Sequence, residues 1–250
     1  MQSAETVLGV LRDRGRKGLP CNELYRQMFN RDLYLLAYGR IYTNQGAMTP
    51  GADEETADGM SEEKIDQIIE AMRHERYRFS PVRRIYIPKK NGKLRPLGLP
   101  SWSDKLVGEV VRLLLEAYYE PTFSDRSHGF RPGRGCHTAL REVGNTWTGT
   151  TWFIEGDISD CFGSLDHEIM IRILSEKIHD NRFLRLIHQM LKAGVPGGLE
   201  IPQNAERRTA RRCGLTDPLK YLPAQVGRFR RDGSHPAAHP RNTAQTQSRI

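Results

Sequence analysis

Trp152-Phe153-Ile154-Glu155-Gly156-Asp157-Ile158-Ser159-Asp160-Cys161-Phe162 is the stretch on which the reading of this chain turns. Its first residues are bulky and apolar, the composition of a buried strand, and Asp157 stands where such a strand would end. A carboxylate at a strand end, beside a tight turn, presents hard oxygen ligands to Mg2+ at the edge of a cleft. The plainer account is an aspartate that caps a turn, with Phe162 in the core. Taken alone the stretch favours the plainer account, so its surroundings must decide.

Upstream lies Ile87-Pro88-Lys89-Lys90-Asn91-Gly92-Lys93-Leu94-Arg95-Pro96-Leu97-Gly98-Leu99-Pro100. Asn91-Gly92 is a tight-turn signal because both residues tolerate positive φ, so residues 82–88 and 94–99 are predicted to form a β-hairpin. Cations on one face of it would suit a clamp on phosphates; a solvated basic hairpin is the bland alternative. Between hairpin and strand comes Ser127-His128-Gly129-Phe130-Arg131-Pro132-Gly133-Arg134-Gly135-Cys136-His137, a loop in which Arg131 and Arg134 could meet phosphates or simply face solvent. His128 and His137 have no cysteine at metal-ligand spacing, so neither reads as a zinc ligand.

Taken in order, these motifs resemble those of group II intron-encoded reverse transcriptases, over roughly residues 20–195. Asp157, four residues, then Phe162 is similar to the first metal-binding motif of the polymerase palm, and Leu165-Asp166-His167 matches a common ending of it. Gly163 departs from it, because many members carry an acid there. Residues 87–100 resemble the fingers motif, and Gly129-Phe130-Arg131-Pro132 the loop that shapes the template and nucleotide pocket. Tyr25-Arg26-Gln27-Met28-Phe29-Asn30, leading into Asn44-x-Gly46-x-x-Thr49-Pro50-Gly51-x-Asp53, resembles the N-terminal extension that contacts intron RNA and template.

The resemblance implies RNA-directed DNA polymerisation, with Asp157 catalytic and Mg2+ held by Asp157 and the carbonyl of Ile158. It implies that Lys89 and Arg95 touch the incoming deoxynucleotide triphosphate, and that Phe162 lies under its sugar. Arg83, Arg84, Lys90, Lys93, Arg131 and Arg134 are the implied contacts to RNA or template, and the implied partners are intron RNA, an RNA template and a DNA primer. The implied fold is α+β, with reverse-transcriptase fingers, a partial palm and a helical N-terminal extension. Expected divisions are a basic lead-in and extension at 1–60, fingers at 61–147, a partial palm at 148–200 and a disordered Arg-rich tail at 201–250.

The family next shows a Gly-x-Pro-Gln-Gly loop and then Tyr-x-Asp-Asp. Here Gly194-Val195-Pro196-Gly197-Gly198 runs into sequence whose acids beyond residue 200 are Glu206, Asp217 and Asp232, with no doublet. One carboxylate leaves too many ligand positions of two Mg2+ ions to water. The expectation is a copy truncated before Tyr-x-Asp-Asp and inactive alone, through a frameshift or early stop near residue 200. The alternative is a non-catalytic, maturase-like fragment that binds intron RNA, and a complementing chain is a further candidate partner. A palm sheet without its central strands would leave apolar faces uncovered.

The bulk numbers agree with an anionic partner. The chain has 38 Lys and Arg against 30 Asp and Glu, a formal charge of +8. Its four cysteines are far apart, which argues against a zinc site or disulfide framework. No stretch approaches a membrane span, and a cytoplasmic protein is expected.

The apolar spacing predicts a loose lead-in at 1–18 and one helix from an Asn22 cap to about Tyr42. Further helices are predicted after Ser61, after Ser103 or Asp104, around Leu140–Trp147, after Asp166 and near 181–193.

Overall fold

The computed structural model describes residues 2–44, 46–51, 53–88, 92, 94–156 and 166–193, with residues 95 and 96 by backbone alone. Asp157, Ile158, Phe162 and the expected tail at 201–250 lie outside the described residues. Among those described, helices α1 (Ala4–Arg16), α2 (Leu24–Gln27), α3 (Arg31–Tyr42) and α4 (Glu62–Arg73) precede strands β1 (Arg83–Pro88) and β2 (Leu94–Leu99). Helices α5 (Trp102–Tyr119), α6 (Cys136–Thr146), α7 (His167–Ser175) and α8 (Asn181–Lys192) follow.

Helix α5 is the centre. Fifteen of its 18 residues are buried, so all its faces are covered. Its broad apolar surface needs cover on several sides, and Asp104, Lys105 and Glu109 are buried with it. Ser101 caps it, its Oγ accepting from the Asp104 N–H at 3.0 Å. The start therefore lies two or three residues before the predicted one, because Ser103 and Asp104 are already inside the first turn. Helices α1 and α3 pack along α5, and α4 lies against α3. Ile65, Ile68, Ile69 and Met72, the predicted stripe of α4, are buried.

Residues 4–16 form α1 where a loose lead-in is predicted. Ala4, Val7, Leu8 and Leu11, at helical spacing, are buried against the core. The exposed Arg12, Arg16 and Lys17 occupy the other side and mask the pattern in the sequence. The helix can approach α5 this closely because residue 15 is glycine. A Cβ there would fall 1.9 Å from the Tyr118 carbonyl oxygen.

The single predicted helix from Asn22 to Tyr42 is two. The amides of Met28, Phe29 and Asn30 bond back three residues, and Asn30 leaves the helical region at φ −87°, ψ 108°. Its side chain accepts from the Asp32 N–H at 3.1 Å and donates to the Gln2 carbonyl at 2.9 Å. A short polar side chain that bonds backbone competes with the helix, and here it restarts it.

Asp180 ties the far end of the chain to the beginning. Its Oδ1 caps α8 through the amides of Arg182 and Phe183, while its Oδ2 accepts from the Tyr25 N–H at 2.8 Å. Beside it, Cys21 and Ile178 form a short parallel bridge. Helices α7 and α8 start at the predicted places and bury Met170, Leu174, Phe183, Leu184 and Ile187.

Helix α6 forms as predicted, but its apolar stripe of Leu140, Val143 and Trp147 is exposed. The strand predicted to end at Asp157 is not present in its described part. Residues 151–156 are irregular, with Trp152, Phe153 and Ile154 at 88%, 74% and 100% exposure. A lone extended segment has no ladder to join, because the sheet described is the two-stranded pair of β1 and β2.

Gly15 gives a direct test of the α1–α5 contact. Gly15→Ala should lose about 1–3 kcal/mol in urea unfolding through overpacking. Gly9→Ala, in the same helix with nothing within 4 Å of the new Cβ, should gain about 0.5–1 kcal/mol. Equal effects would mean that the helices do not touch at Gly15.

Candidate functional site

The N-terminus of α5 gathers three segments that carry motifs. The indole N–H of Trp102 donates to the Ala47 carbonyl at 2.9 Å. The Lys105 ammonium donates to the Thr49 carbonyl at 2.8 Å, and the Arg83 guanidinium to the Pro50 carbonyl at 2.8 Å. A Cβ on Gly51 would fall 2.4 Å from the Pro100 carbonyl oxygen, so the loop lies flat on the chain that enters α5. Trp102 and Lys105 of α5 and Arg83 of β1 thus hold residues 47–50 of the motif against the base of the hairpin.

Asp104 fastens the other side. It accepts from the Tyr77 hydroxyl at 2.6 Å and from the Ser80 N–H at 2.9 Å. Burial pushes its pKa above the ordinary value, against the hydrogen bonds from Tyr77, Ser101 and Ser80. Burial also pushes Tyr77 well up, with the Asp104 charge adding to it, and pushes Lys105 down. Tyr77 and Asp104 are partners of each other, while Lys105 serves the Thr49 carbonyl, and sequence reasoning passed over these roles. The available signal was two adjacent charged residues, Asp104 and Lys105, in the first turn of a largely apolar helix.

Strands β1 and β2 form the predicted antiparallel hairpin, in the register Arg83↔Leu99, Ile85↔Leu97, Ile87↔Arg95 and Pro88↔Leu94. Its base is anchored through Arg83. Arg95 stands opposite Ile87, next to the turn. Side chains alternate along a strand, so Arg83 and Arg84 occupy opposite faces. Lys89, Lys90 and Lys93 lie outside the described residues.

The loop after α5 is held from within by its arginines. The Arg131 guanidinium is only 8% exposed. It donates to Glu120 Oε1 at 2.9 Å and to the carbonyls of Ser124 and Ser127 at 2.7 and 2.9 Å, and it stacks over the Phe123 ring. Arg134 pairs with Asp125 at 3.0 Å and bonds its carbonyl as well. His128 bridges Thr138 Oγ1 at 2.9 Å and Glu142 Oε2 at 2.7 Å, tying the loop to α6. The side chain of Phe130 is exposed, on a residue held at φ +59°. Arg131 is thus engaged by the protein itself, and it fixes the shape of the loop that presents Phe130.

Among the described residues, no group of three or more His, Cys, Asp or Glu could hold a metal ion. Among them, no helix is long and apolar enough to cross a membrane. Cys21 and Cys136 are free thiols.

Comparison with known proteins adds the context of relatives. Residues 87–216 match the family model described as reverse transcriptase (RNA-dependent DNA polymerase). The chain is 50% identical over 172 residues to "Group II intron-encoded protein LtrA" of Lactococcus lactis subsp. cremoris, which covers 68% of this chain and 29% of that protein. It is also 50% identical over 172 residues to "Uncharacterized 91 kDa protein in cob intron" of Schizosaccharomyces pombe, covering 68% and 21%. Against "Nuclear intron maturase 1, mitochondrial" of Arabidopsis thaliana it is 38% identical over 93 residues, covering 37% and 13%. The chain spans less than a third of the length of these relatives.

Two substitutions separate latch from surface in the loop. Arg131→Gln should cost about 2–3 kcal/mol in urea unfolding, because it removes a nearly buried charge from its carboxylate and two carbonyls. Arg134→Gln, whose partner Asp125 is exposed, should cost less than about 1 kcal/mol.

Asp104 should leave a mark on stability against pH. A carboxyl whose pKa is raised by folding binds its proton more tightly in the native state. Its contribution is present below the unfolded value of about 3.9 and is lost as pH rises through the folded value. The stability of the wild type minus that of Asp104→Asn should therefore fall as pH rises from about 4, then level off. A flat difference would mean that the carboxyl is not held in its neutral form.

Proposed function

The chain belongs to the reverse transcriptase (RNA-dependent DNA polymerase) family, and from that premise we propose that its residues serve RNA-templated DNA synthesis by a group II intron-encoded enzyme. One observation carries the proposal. The 44–53 loop, the base of the hairpin and the chain leading into α5 form one hydrogen-bonded unit, within a chain half-identical over 172 residues to a group II intron-encoded protein. That unit suits a rigid mount for a cationic turn.

In this reading residues 61–147 act as fingers and 148–200 as the first part of a palm. Lys89 and Arg95, flanking the hairpin turn, hold the triphosphate of the incoming deoxynucleotide, Lys as a point charge and Arg as a planar fork. Arg83, Arg84, Lys90 and Lys93 lie along the template backbone. Phe162 supports the sugar and rejects a 2′-hydroxyl by contact. Arg131 and Arg134 act on the template pocket by setting the loop that carries Phe130.

Asp157 and the carbonyl of Ile158 are hard oxygen donors of the kind that suits Mg2+. Bound there, the ion would offset charge on the transferring phosphoryl group. Two-ion chemistry needs carboxylates besides Asp157, and we assign these to a complementing polypeptide. The residues of this chain then bind, orient and select the nucleotide and template.

A second reading is RNA binding without synthesis. It is favoured by the internal engagement of Arg131 and by the likeness to an intron maturase. Primer extension on an RNA template, with and without a polypeptide carrying a Tyr-x-Asp-Asp segment, separates the two. The first reading expects extension in the complemented reaction and its loss in Asp157→Ala, with RNA affinity unchanged. The second expects RNA affinity with a salt slope of about −0.7 per phosphate contacted, and no extension. Absence of both would remove both.

A further inference from the structure

Helix α6 has no buried residue, so packing does little to hold it and its polar bonds matter more. The His128 ring lies against it, with Nδ1 2.9 Å from Thr138 Oγ1 and Nε2 2.7 Å from Glu142 Oε2. Thr138 and Glu142 are four residues apart, so they stand on one face of the helix. The ring is 15% exposed and the Glu142 side chain 29%. Both nitrogens of one imidazole are thus engaged, on the residue that immediately precedes Gly129-Phe130-Arg131-Pro132.

The proton inventory of this network assigns a role to each atom. A threonine hydroxyl has one proton and two lone pairs. That of Thr138 donates to the Gly135 carbonyl at 2.8 Å and accepts from the Gly135 N–H at 2.9 Å, which closes the first turn of α6. One lone pair is left, so His128 Nδ1 must donate to it. An ionised Glu142 has no proton to give, so Nε2 must donate as well. A ring that donates from both nitrogens is an imidazolium. The neutral ring has one N–H only. It must either draw the Thr138 proton away from Gly135 or set a bare nitrogen against the carboxylate of Glu142.

The other charges around the joint are paired or face solvent. Arg131 is held by Glu120, and Arg134 by Asp125. Arg126, His137 and Arg141 are exposed. Among the described residues, Glu142 is the charged group bonded to the ring.

We infer that His128 is a proton-operated joint between the 127–135 loop and α6: the protonated ring makes both bonds, and the neutral ring releases one of them. Loss of the proton loosens the loop that carries Phe130 from its helix. It leaves the Arg131 latch in place, since that latch runs to Glu120, Ser124 and Ser127. The extra bond is present at low pH and is lost as pH rises through the interval in which histidine changes charge, about pH 5–8. The joint asks nothing of the reaction that the loop serves, so it stands whether or not the chain supports synthesis.

The test follows the full chain by NMR from about pH 5 to about pH 8.5. The ring 15N signals of His128 report its charge. Hydrogen-exchange protection factors of the amides of residues 140–143 report the attachment of α6. In the wild type these factors should fall about threefold to tenfold as pH rises, the equivalent of one hydrogen bond, with the midpoint of the His128 ring titration. His128→Gln should abolish the step. Thr138→Val should reduce it to less than about twofold, and Thr138→Ser should restore it, because serine keeps the hydroxyl. His137→Gln, at an exposed histidine of the same helix, should leave it unchanged.

A flat wild-type profile, a step that persists in His128→Gln, or one that vanishes in His137→Gln would overturn the inference. So would a full step in Thr138→Val, which would reduce the effect to charge attraction with Glu142 alone. If His128→Gln does not fold, the contrast between Thr138→Val and Thr138→Ser carries the decision.

Discussion

Everything described in this protein depends on the burial of α5 from all sides. A helix with fifteen of its 18 residues buried, charged ones among them, is surrounded by other elements and not seated at the surface. Helices α1 and α3 supply two of its walls. The approach on one side is close enough to require a glycine against the Tyr118 carbonyl. The polar groups that α5 carries inward are then forced to find partners, since an unpaired buried polar group costs about 1–3 kcal/mol. Asp104 finds Tyr77 and Ser80, Lys105 finds Thr49, and Trp102 finds Ala47. Those forced partnerships are what gather the motif-bearing segments at one end of the helix.

The same logic separates two kinds of arginine. Arg131 lies inside and is consumed in shaping its loop, where its fork matches Glu120 and two carbonyls at once. Arg83 lies at the surface and ties the hairpin to the Pro50 carbonyl while remaining largely in solvent. Arg182 is different again, because it meets the Tyr25 ring only through the packing of α2 and α8. At the other extreme, Leu140, Val143, Trp147, Trp152, Phe153 and Ile154 stand exposed near one another in sequence. An apolar surface of that extent is the kind normally covered by another element or partner.

Much of the framework was legible in the sequence where one local rule sufficed. The stripe of α4, the Asn91-Gly92 hairpin, the Asp166 cap of α7 and the apolar face of α8 each follow from spacing and a single capping or turn residue. The failures have physical causes. Helix α1 was hidden by its arginines, since cations on the solvent side obscure an apolar face that only a partner helix makes necessary. The break at Asn30 was hidden because Asn serves equally in a helix and at a cap, and its buried bond to Gln2 decided between them. The strand before Asp157 was overcalled because bulky apolar residues make a strand only when another strand pairs with them.

Amino-acid order by itself determined the family, the existence of the hairpin and the starts of α4, α7 and α8, because these depend on contacts within a few residues or on motifs in a fixed succession. Tertiary structure alone decided that Asp180 caps one helix while bonding the amide of another 155 residues away, that Arg131 is a latch, and that Arg182 stacks over the Tyr25 ring. Such arrangements arise from which faces α5 and its neighbours must bury against each other, and no local spacing encodes that choice.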